Sequence, residues 1–434
     1  MRSTTMNRAD RQRVSGVRGG GLLLLVGVGV ALAGCDFEVT NPGPIQEEFL
    51  NEELAQPAIV NGMGRALAQG MNWLAYTGAA VSREIHPAGS TAAFGIANEW
   101  AAGQLEPTDR ILNTHWEQSS RARWLAESGV ARMVELGSAA DLLTQGRLWA
   151  GYANRLMGEH YCEAVIDGGS IQSREEYLNR AERYFSEAIE SGTGNRRLAA
   201  LAGRASIRMH LGNWSGAAAD AAQVPIAFEY RIPYYSVGAD DQRNRIAWAS
   251  AGTPYKAHTV WNTVYEPIAL SPENPGGDPR VEYSYTPGEV GDAAINCCGP
   301  VPFKRQRKHA TDAASIRLSS GREMRLVEAE VALIGDNWQG ALQIINEVRA
   351  YAGVDPVQAA NAGETWTRLK RERGIELWLE GRRIGDLYRW NQQNRPGEFG
   401  ALETPGGGSN LERQDLCFPI PPSERETNPN VPLN

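Results

Sequence analysis

Four aromatic side chains, Trp248, Tyr255, Trp261 and Tyr265, fall close together in a stretch with no helical periodicity. Flat rings carry a large contact area with little side-chain entropy to lose, and they can stack on the apolar faces of sugar rings. The alternative role for the same rings is to fill the core of their own segment. Arg83, Glu84 and Trp100 form a second set in the irregular stretch from residue 78 to 112, and Arg83 and Trp100 join the four rings as candidate ligand contacts. A third set, the acids and arginines between Glu372 and Arg389, has the look of a catalytic carboxylate cluster. Its spacing of three and four is that of ion pairs along one helix, and it is read as a structural network. No His-Glu-x-x-His, Gly-x-Ser-x-Gly or Gly-Lys-Ser/Thr sequence is present, and the six histidines are widely scattered. No catalytic residue, metal site or cofactor is therefore expected, and the chain is read as a binding protein.

The N-terminus says where these groups are displayed. Arg2, Arg8, Arg11, Arg13 and Arg18 precede an apolar run from Leu22 to Ala33, the basic and apolar parts of a secretory signal. The run contains glycines and is shorter than the roughly 18 residues a membrane-spanning helix needs. Leu32-Ala33-Gly34-Cys35 is similar to the bacterial lipobox, in which the cysteine sulfur is acylated and becomes the mature N-terminus. Residues 1–34 are read as a lipoprotein signal and Cys35 as the lipidation site, since two or more acyl chains hold a protein on a membrane without a spanning helix. The whole chain carries a net charge of −8 and the mature chain about −12, a surface that repels phosphate backbones and argues against nucleic acid as a partner. Cys162, Cys297, Cys298 and Cys417 remain for disulfides. A bridge from the Cys297/Cys298 pair to Cys417 or Cys162 is possible, and the sequence does not choose a pairing.

The elements that must position the rings are helical. Asn-Trp-x-Gly-Ala occurs twice, at Asn213–Ala217 and Asn337–Ala341, each time between two amphipathic helical patterns. Helix, tight turn, helix with small residues at the junction is the pattern of a tetratricopeptide repeat. Trp214 and Trp338, in matching positions, are expected in the core. Ser173-Arg174-Glu175-Glu176 reads as a capping box opening a further helix. A looser junction is read at Gly158 to Val165, and one charged helix from about Trp366 to Arg389. The expectation is a mostly all-α chain with about four helical pairs, at approximately 144–222 and 321–390, each burying the face its neighbour leaves open. Irregular, aromatic-rich loop insertions interrupt them: residues 225–310, the stretch 78–112, and a flexible loop over 396–416. Residues 35–434 are read as a single domain.

Near the C-terminus, Glu372-Arg373, Glu376-Leu377, Glu380-Gly381, Arg383, Asp386-Leu387 and Arg389-Trp390 resemble the closing helix of the SusD/RagB family. Pro419-Ile420-Pro421 and Asn428-Pro429-Asn430 follow in that family's order, and Glu323 to Tyr351 is similar to its Glu-x-x-Leu-x-x-Ala-Glu helix and the Asn-x-x-Arg helix after it. The resemblance implies a tetratricopeptide-like α/α superhelix and an outer-membrane surface lipoprotein without catalytic activity. It further implies that the protein binds an oligosaccharide or other oligomeric nutrient and delivers it to a TonB-dependent outer-membrane transporter. The chain departs from the pattern at Ile384, where an aromatic is common, and residues 225–310 align with nothing in it. Asp36, after the candidate lipidated cysteine, is an inner-membrane retention signal in some bacteria, so outer-membrane placement comes from the resemblance. The alternatives are a lipid-anchored tetratricopeptide scaffold for protein partners and a glycoside hydrolase. The lipobox reading predicts that Cys35→Ala abolishes incorporation of labelled palmitate and releases the protein from the membrane fraction; unchanged labelling in that variant would sink it.

Overall fold

The computed structural model describes residues 47–89, 98–237, 242–251, 256–292 and 300–433. Cys35, Tyr255, Cys297 and Cys298 lie outside the described residues.

The chain enters through α1 (Gln56–Val81), crosses an irregular stretch holding β1 (His86–Pro87) and the short α2 (Asn98–Ala101), and continues into α3 (Leu112–Glu135) and α4 (Ala140–His160). A small antiparallel hairpin of β2 (Glu163–Val165) and β3 (Ile171–Ser173) leads to α5 (Glu175–Ser191), α6 (Gly194–His210) and α7 (Trp214–Ala221). The insertion then carries β4 (Glu229–Ile232), α8 (Arg245–Ala251), β5 (His258–Thr259), β6 (Ala269–Leu270), β7 (Asp278–Ser284), β8 (Arg305–Gln306) and β9 (Ile316–Ser320). Helices return as α9 (Gly321–Ile334), α10 (Trp338–Tyr351), α11 (Ala362–Glu376), α12 (Arg383–Gln392) and α13 (Pro422–Thr427). The mostly helical, tetratricopeptide-like architecture expected from the periodicity is the one observed.

The helices stack in chain order, α3 on α4, α5 on α6, α6 on α7, α9 on α10, and α7 also packs on α9 across the insertion. That continuity has a local cause. The insertion leaves along β4 and returns along β9, which pair antiparallel from Glu229↔Ser320 to Ile232↔Ile316, so its two ends are zipped together. Ser320 ends the ladder and caps the next helix, its hydroxyl accepting the Glu323 N–H at 3.1 Å.

The repeated Asn-Trp-x-Gly-Ala has a capping origin. Asn213 and Asn337 are the N-caps of α7 and α10, and their side-chain oxygens accept from the N–H of Gly216 and Gly340 at 3.0 Å in both. A Cβ on Gly216 would stand 2.7 Å from the capping amide, and one on Gly340 2.4 Å, so the motif needs glycine three residues after the cap. The alanines that follow are fully buried. Trp214 and Trp338, expected in the core, are half-buried instead and pack on its edge; the Arg395 guanidinium lies 5.1 Å from the Trp214 ring. A residue at the first helical position faces outward across the cap, which leaves one side of the ring open.

Three further expectations are corrected. The capping box at Ser173 is not formed: Arg174 precedes α5 without a side-chain cap, and Ser173 reaches only the Glu175 N–H at 3.3 Å. Gly158 to Val165 is no helix junction. Tyr161 bridges to Phe418 in parallel and β2 turns into β3, so this segment receives the C-terminal strand. The helix read from Trp366 to Arg389 breaks at Leu377–Arg382, where Leu379 (φ 57°) and Gly381 (φ 68°) take left-handed backbone. Of the open disulfide pairings, Cys162–Cys417 forms, closing a separation of 255 residues beside the Tyr161–Phe418 bridge.

All six histidines are enclosed. Burial lowers His86, His160, His210 and His309 to about 4, and His115 and His258 to about 3. Between pH 6.5 and 4 the unfolded chain binds protons that the folded one refuses, so their contribution is complete above pH 6.5 and lost as pH falls toward 4. A shift of two units is worth on the order of 3 kcal/mol per group. Buried Glu84, which desolvation raises to about 7, and Glu328, which desolvation also raises, act in the opposite sense, but they are two groups against six. The melting temperature should therefore be lower at pH 5 than at pH 7.5, read by thermal melts; an equal or higher value at pH 5 would contradict this account.

Candidate functional site

The two irregular stretches meet where His86 and Pro87 pair with Thr259 and His258, at the C-terminal end of α1. α1 supplies the base. Tyr76, one turn before that end, gives its hydroxyl to a 2.7 Å hydrogen bond with His258 Nδ1, and the two rings stand edge to face at 5.0 Å. One turn earlier, Trp73 is half-buried, and the Arg245 guanidinium from α8 lies 3.6 Å over its ring. The same guanidinium is 5.3 Å from the ring of half-buried Trp248, so buried Arg245 holds the two indoles in a fixed relation by cation–π contact. Asn72 fastens α8 to α1: its side chain accepts the Arg245 N–H at 3.0 Å and donates to the Arg243 carbonyl at 2.8 Å. Trp261, also half-buried, meets the His86 ring edge to face at 5.1 Å. Three partly open indoles, Trp73, Trp248 and Trp261, thus share the seam between α1 and the inserted segments.

Trp248 and Trp261, read from the sequence as candidate ligand contacts, are half-buried at this seam. Tyr255 lies outside the described residues. Arg83, Trp100 and Tyr265 are corrected: all three are buried and present no surface to a ligand. They form the layer below. Trp100 packs edge-on against His115 at 5.4 Å, and His115 against Trp73 at 5.2 Å. Tyr265 packs on Trp378 at 5.7 Å. Arg83, with left-handed backbone (φ 60°), gives Nη2 to the Ala101 carbonyl at 2.6 Å, while Nε and Nη1 have no partner, and burial lowers its pKa to about 9. It is close enough to depress His86 and His258. A desolvated guanidinium with unmatched donors is costly, and it sits directly beneath the seam. Trp73 and Arg245 were not found from sequence. Trp73 sits within an amphipathic helix, where an aromatic reads as core.

The acids and arginines of the C-terminal motif do form an ion-pair network, but it runs mostly between elements, with Asp386–Arg389 paired within one helix. Arg382, in the break between α11 and α12, pairs with Glu323 of α9 at 2.8 Å and Glu159 of α4 at 2.9 Å and donates to Ser206 of α6 at 2.6 Å. Arg389 pairs with Glu330 and, at 3.1 Å, with Asp386, which also holds Arg373 at 2.9 Å. Arg373 and Arg389 keep Asp386 ionised, at about 2, against burial that would raise it. Arg317 of β9 reaches Glu376 and Glu380 at 2.9 and 2.8 Å, and Arg280 of β7 reaches Glu372 at 2.6 Å, which fastens the insertion to α11.

Residues 304–434, which include Arg317, Arg382 and Arg389, match the SusD family. No curated protein matches it by sequence. Solved SusD-like structures share its fold over nearly their whole length. A SusD superfamily protein from Parabacteroides distasonis aligns with a TM-score of 0.64 at 13% identity, covering 87% of this chain and 98% of that one. One from Bacteroides thetaiotaomicron aligns at 0.64 and 14%, covering 88% and 99%. A SusD-like carbohydrate binding protein from Bacteroides vulgatus aligns at 0.59 and 13%, covering 88% and 97%. Against this SusD-family pattern, Glu323 and Glu330 of the Glu-x-x-Leu-x-x-Ala-Glu helix become legible as the partners of Arg382 and Arg389.

Proposed function

We propose that this protein is a SusD-like, lipid-anchored outer-membrane binding protein that captures a glycan or other oligomeric nutrient on the Trp73–Trp248–Trp261 seam and delivers it to a TonB-dependent transporter. The SusD-family match over residues 304–434 supports a nutrient-binding protein without catalytic activity. One structural observation carries the site: three partly open indoles lie along one seam, two of them set by a shared guanidinium. Rings fixed in advance lose little entropy when a ligand stacks on them. Among the described residues no helix is long and apolar enough to cross a membrane, and the anchor proposed at Cys35 supplies the attachment. The seam lies at the C-terminal end of a 26-residue α1, about 39 Å long. The anchor precedes its other end in the chain.

Trp248→Ala or Trp261→Ala should weaken oligosaccharide binding by roughly 1–3 kcal/mol, with a much smaller loss of stability because both rings are half-exposed. Calorimetric titration against a glycan panel, with thermal melts on the same variants, decides it; binding and fold lost in parallel would make the rings insertion core, and turnover of any glycan would overturn the binding assignment. For delivery, the native protein should co-purify from detergent-solubilised outer membranes with a large β-barrel. Recovery only as a monomer, or only from inner membranes, would favour a scaffold.

A further inference from the structure

A second aromatic recess lies along α1, nearer its N-terminal end. It encloses about 570 Å³ between α1, the Trp149 ring of α4 and the segment after β4, with Pro233, Tyr235 and Val237 on its outer edge. Tyr235 is 56% exposed and Val237 74%, both large side chains that folding left in water. The floor is built for close approach. A Cβ on Gly64 would stand 3.1 Å from the Trp149 ring, and a Cβ on Gly62 would meet nothing within 4 Å, so the ring lies flat against the helix and leaves open space beside it.

The Trp149 ring is held from behind. It packs on Tyr230 at 5.9 Å, Tyr230 stacks on Tyr152 at 5.7 Å, and the Gln145 side chain donates to the Tyr230 hydroxyl at 2.7 Å. Tyr235 is held through its backbone, donating to the Gln242 carbonyl at 2.9 Å. The polar rim is an amide and guanidinium set. Gln242, with its side-chain oxygen turned inward, accepts from Arg65 at 2.7 and 3.0 Å, and exposed Asn61 stands one turn away on α1. Two presented rings, a glycine floor and a rim of amides and a guanidinium suit a ring with an apolar face and a hydroxyl edge. Two exposed apolar side chains are few for a protein interface.

We propose that this recess is a second saccharide-binding subsite, separate from the tryptophan seam and serving the distal units of the same oligomer. It rests on the glycan reading of the seam. Arg65 and Trp73 are eight residues apart on one helix, about 12 Å, so a short ligand fills one place or the other and a longer one reaches both. The test uses oligosaccharides of graded length, cut from whichever polysaccharide the wild-type chain binds on a glycan array, titrated calorimetrically into the full-length protein, Tyr235→Ala and Tyr235→Phe. Tyr235→Ala should leave the shortest binding oligomer unaffected and weaken the longest roughly tenfold; Tyr235→Phe, which keeps the ring, should behave as wild type. A Tyr235→Ala protein that binds every length like wild type overturns the subsite while leaving the seam standing. Equal loss at all lengths overturns its separateness. Normal binding at every length with loss of a co-purifying β-barrel makes the recess a protein-docking face and also overturns it. Wild type that binds nothing on the array overturns the glycan reading and this subsite with it.

Discussion

The Arg382 guanidinium is the point on which the rest of the molecule depends. It is buried, it leaves the chain at a break between two helices, and it holds partners on three others: Glu323 on α9, Glu159 on α4 and Ser206 on α6. Two carboxylates and a hydroxyl around one guanidinium satisfy a charge that could not otherwise be removed from water. Breaking such a set by deleting one member costs about 3–5 kcal/mol, whereas replacing the whole set by apolar groups is often neutral. Stability alone therefore does not explain its form. Apolar helix faces tolerate sliding, while an arginine with a fixed donor geometry accepts only one relative placement of the helices that feed it. The network sets how α4, α6 and α9 sit around the break between α11 and α12.

The same break ties the scaffold to the seam. Leu379 gives its N–H to the Glu84 side chain at 2.8 Å and Trp378 gives its indole N–H to the Glu84 carbonyl at 2.9 Å, so the turn before Arg382 grips the chain just after α1. Glu84 adjoins Arg83, and both lie directly under the β1–β5 pairing that brings His86 to Trp261. From the other side, Arg317 and Arg280 hold the insertion to Glu372, Glu376 and Glu380. The irregular segments, which have little repetitive structure of their own, are fixed by ion pairs to the most regular part of the fold. A rigid scaffold that presents variable loops can change its ligand without changing its frame.

What one sequence made legible follows from range. The Asn-Trp-x-Gly-Ala repeat was visible because an N-cap is a contact over three residues, and so was the alternation of helix and junction around it. The partners of Arg382 lie as far as 223 residues away and were invisible. The spacing of three and four through Glu372–Arg389 read as one helix because the charges kept helical period across a break whose one local sign was Gly381; Leu379 in left-handed backbone gave no sign at all. At the seam, irregular segments lack the periodicity from which burial is read. Trp261 and Tyr265 therefore looked alike, although the structure half-exposes the first and buries the second. Trp73 failed for the opposite reason, since its helix has period enough to make every aromatic look like core.

The spacing of the aromatic surfaces along α1 bears on how such a protein would work under the reading proposed above. A protein that must pass its ligand on gains nothing from one deep, tight pocket, because slow release would stall delivery. Shallow rings at separate places give each unit of an oligomer a weak contact, while an oligomer that reaches two places is retained by the high effective concentration of its second unit. Each contact can then be released singly as the ligand is drawn away. The physical requirement is that the two places stay at a constant separation. A single helix running beneath both of them, clamped at its C-terminal end by the Glu84 contacts, meets it.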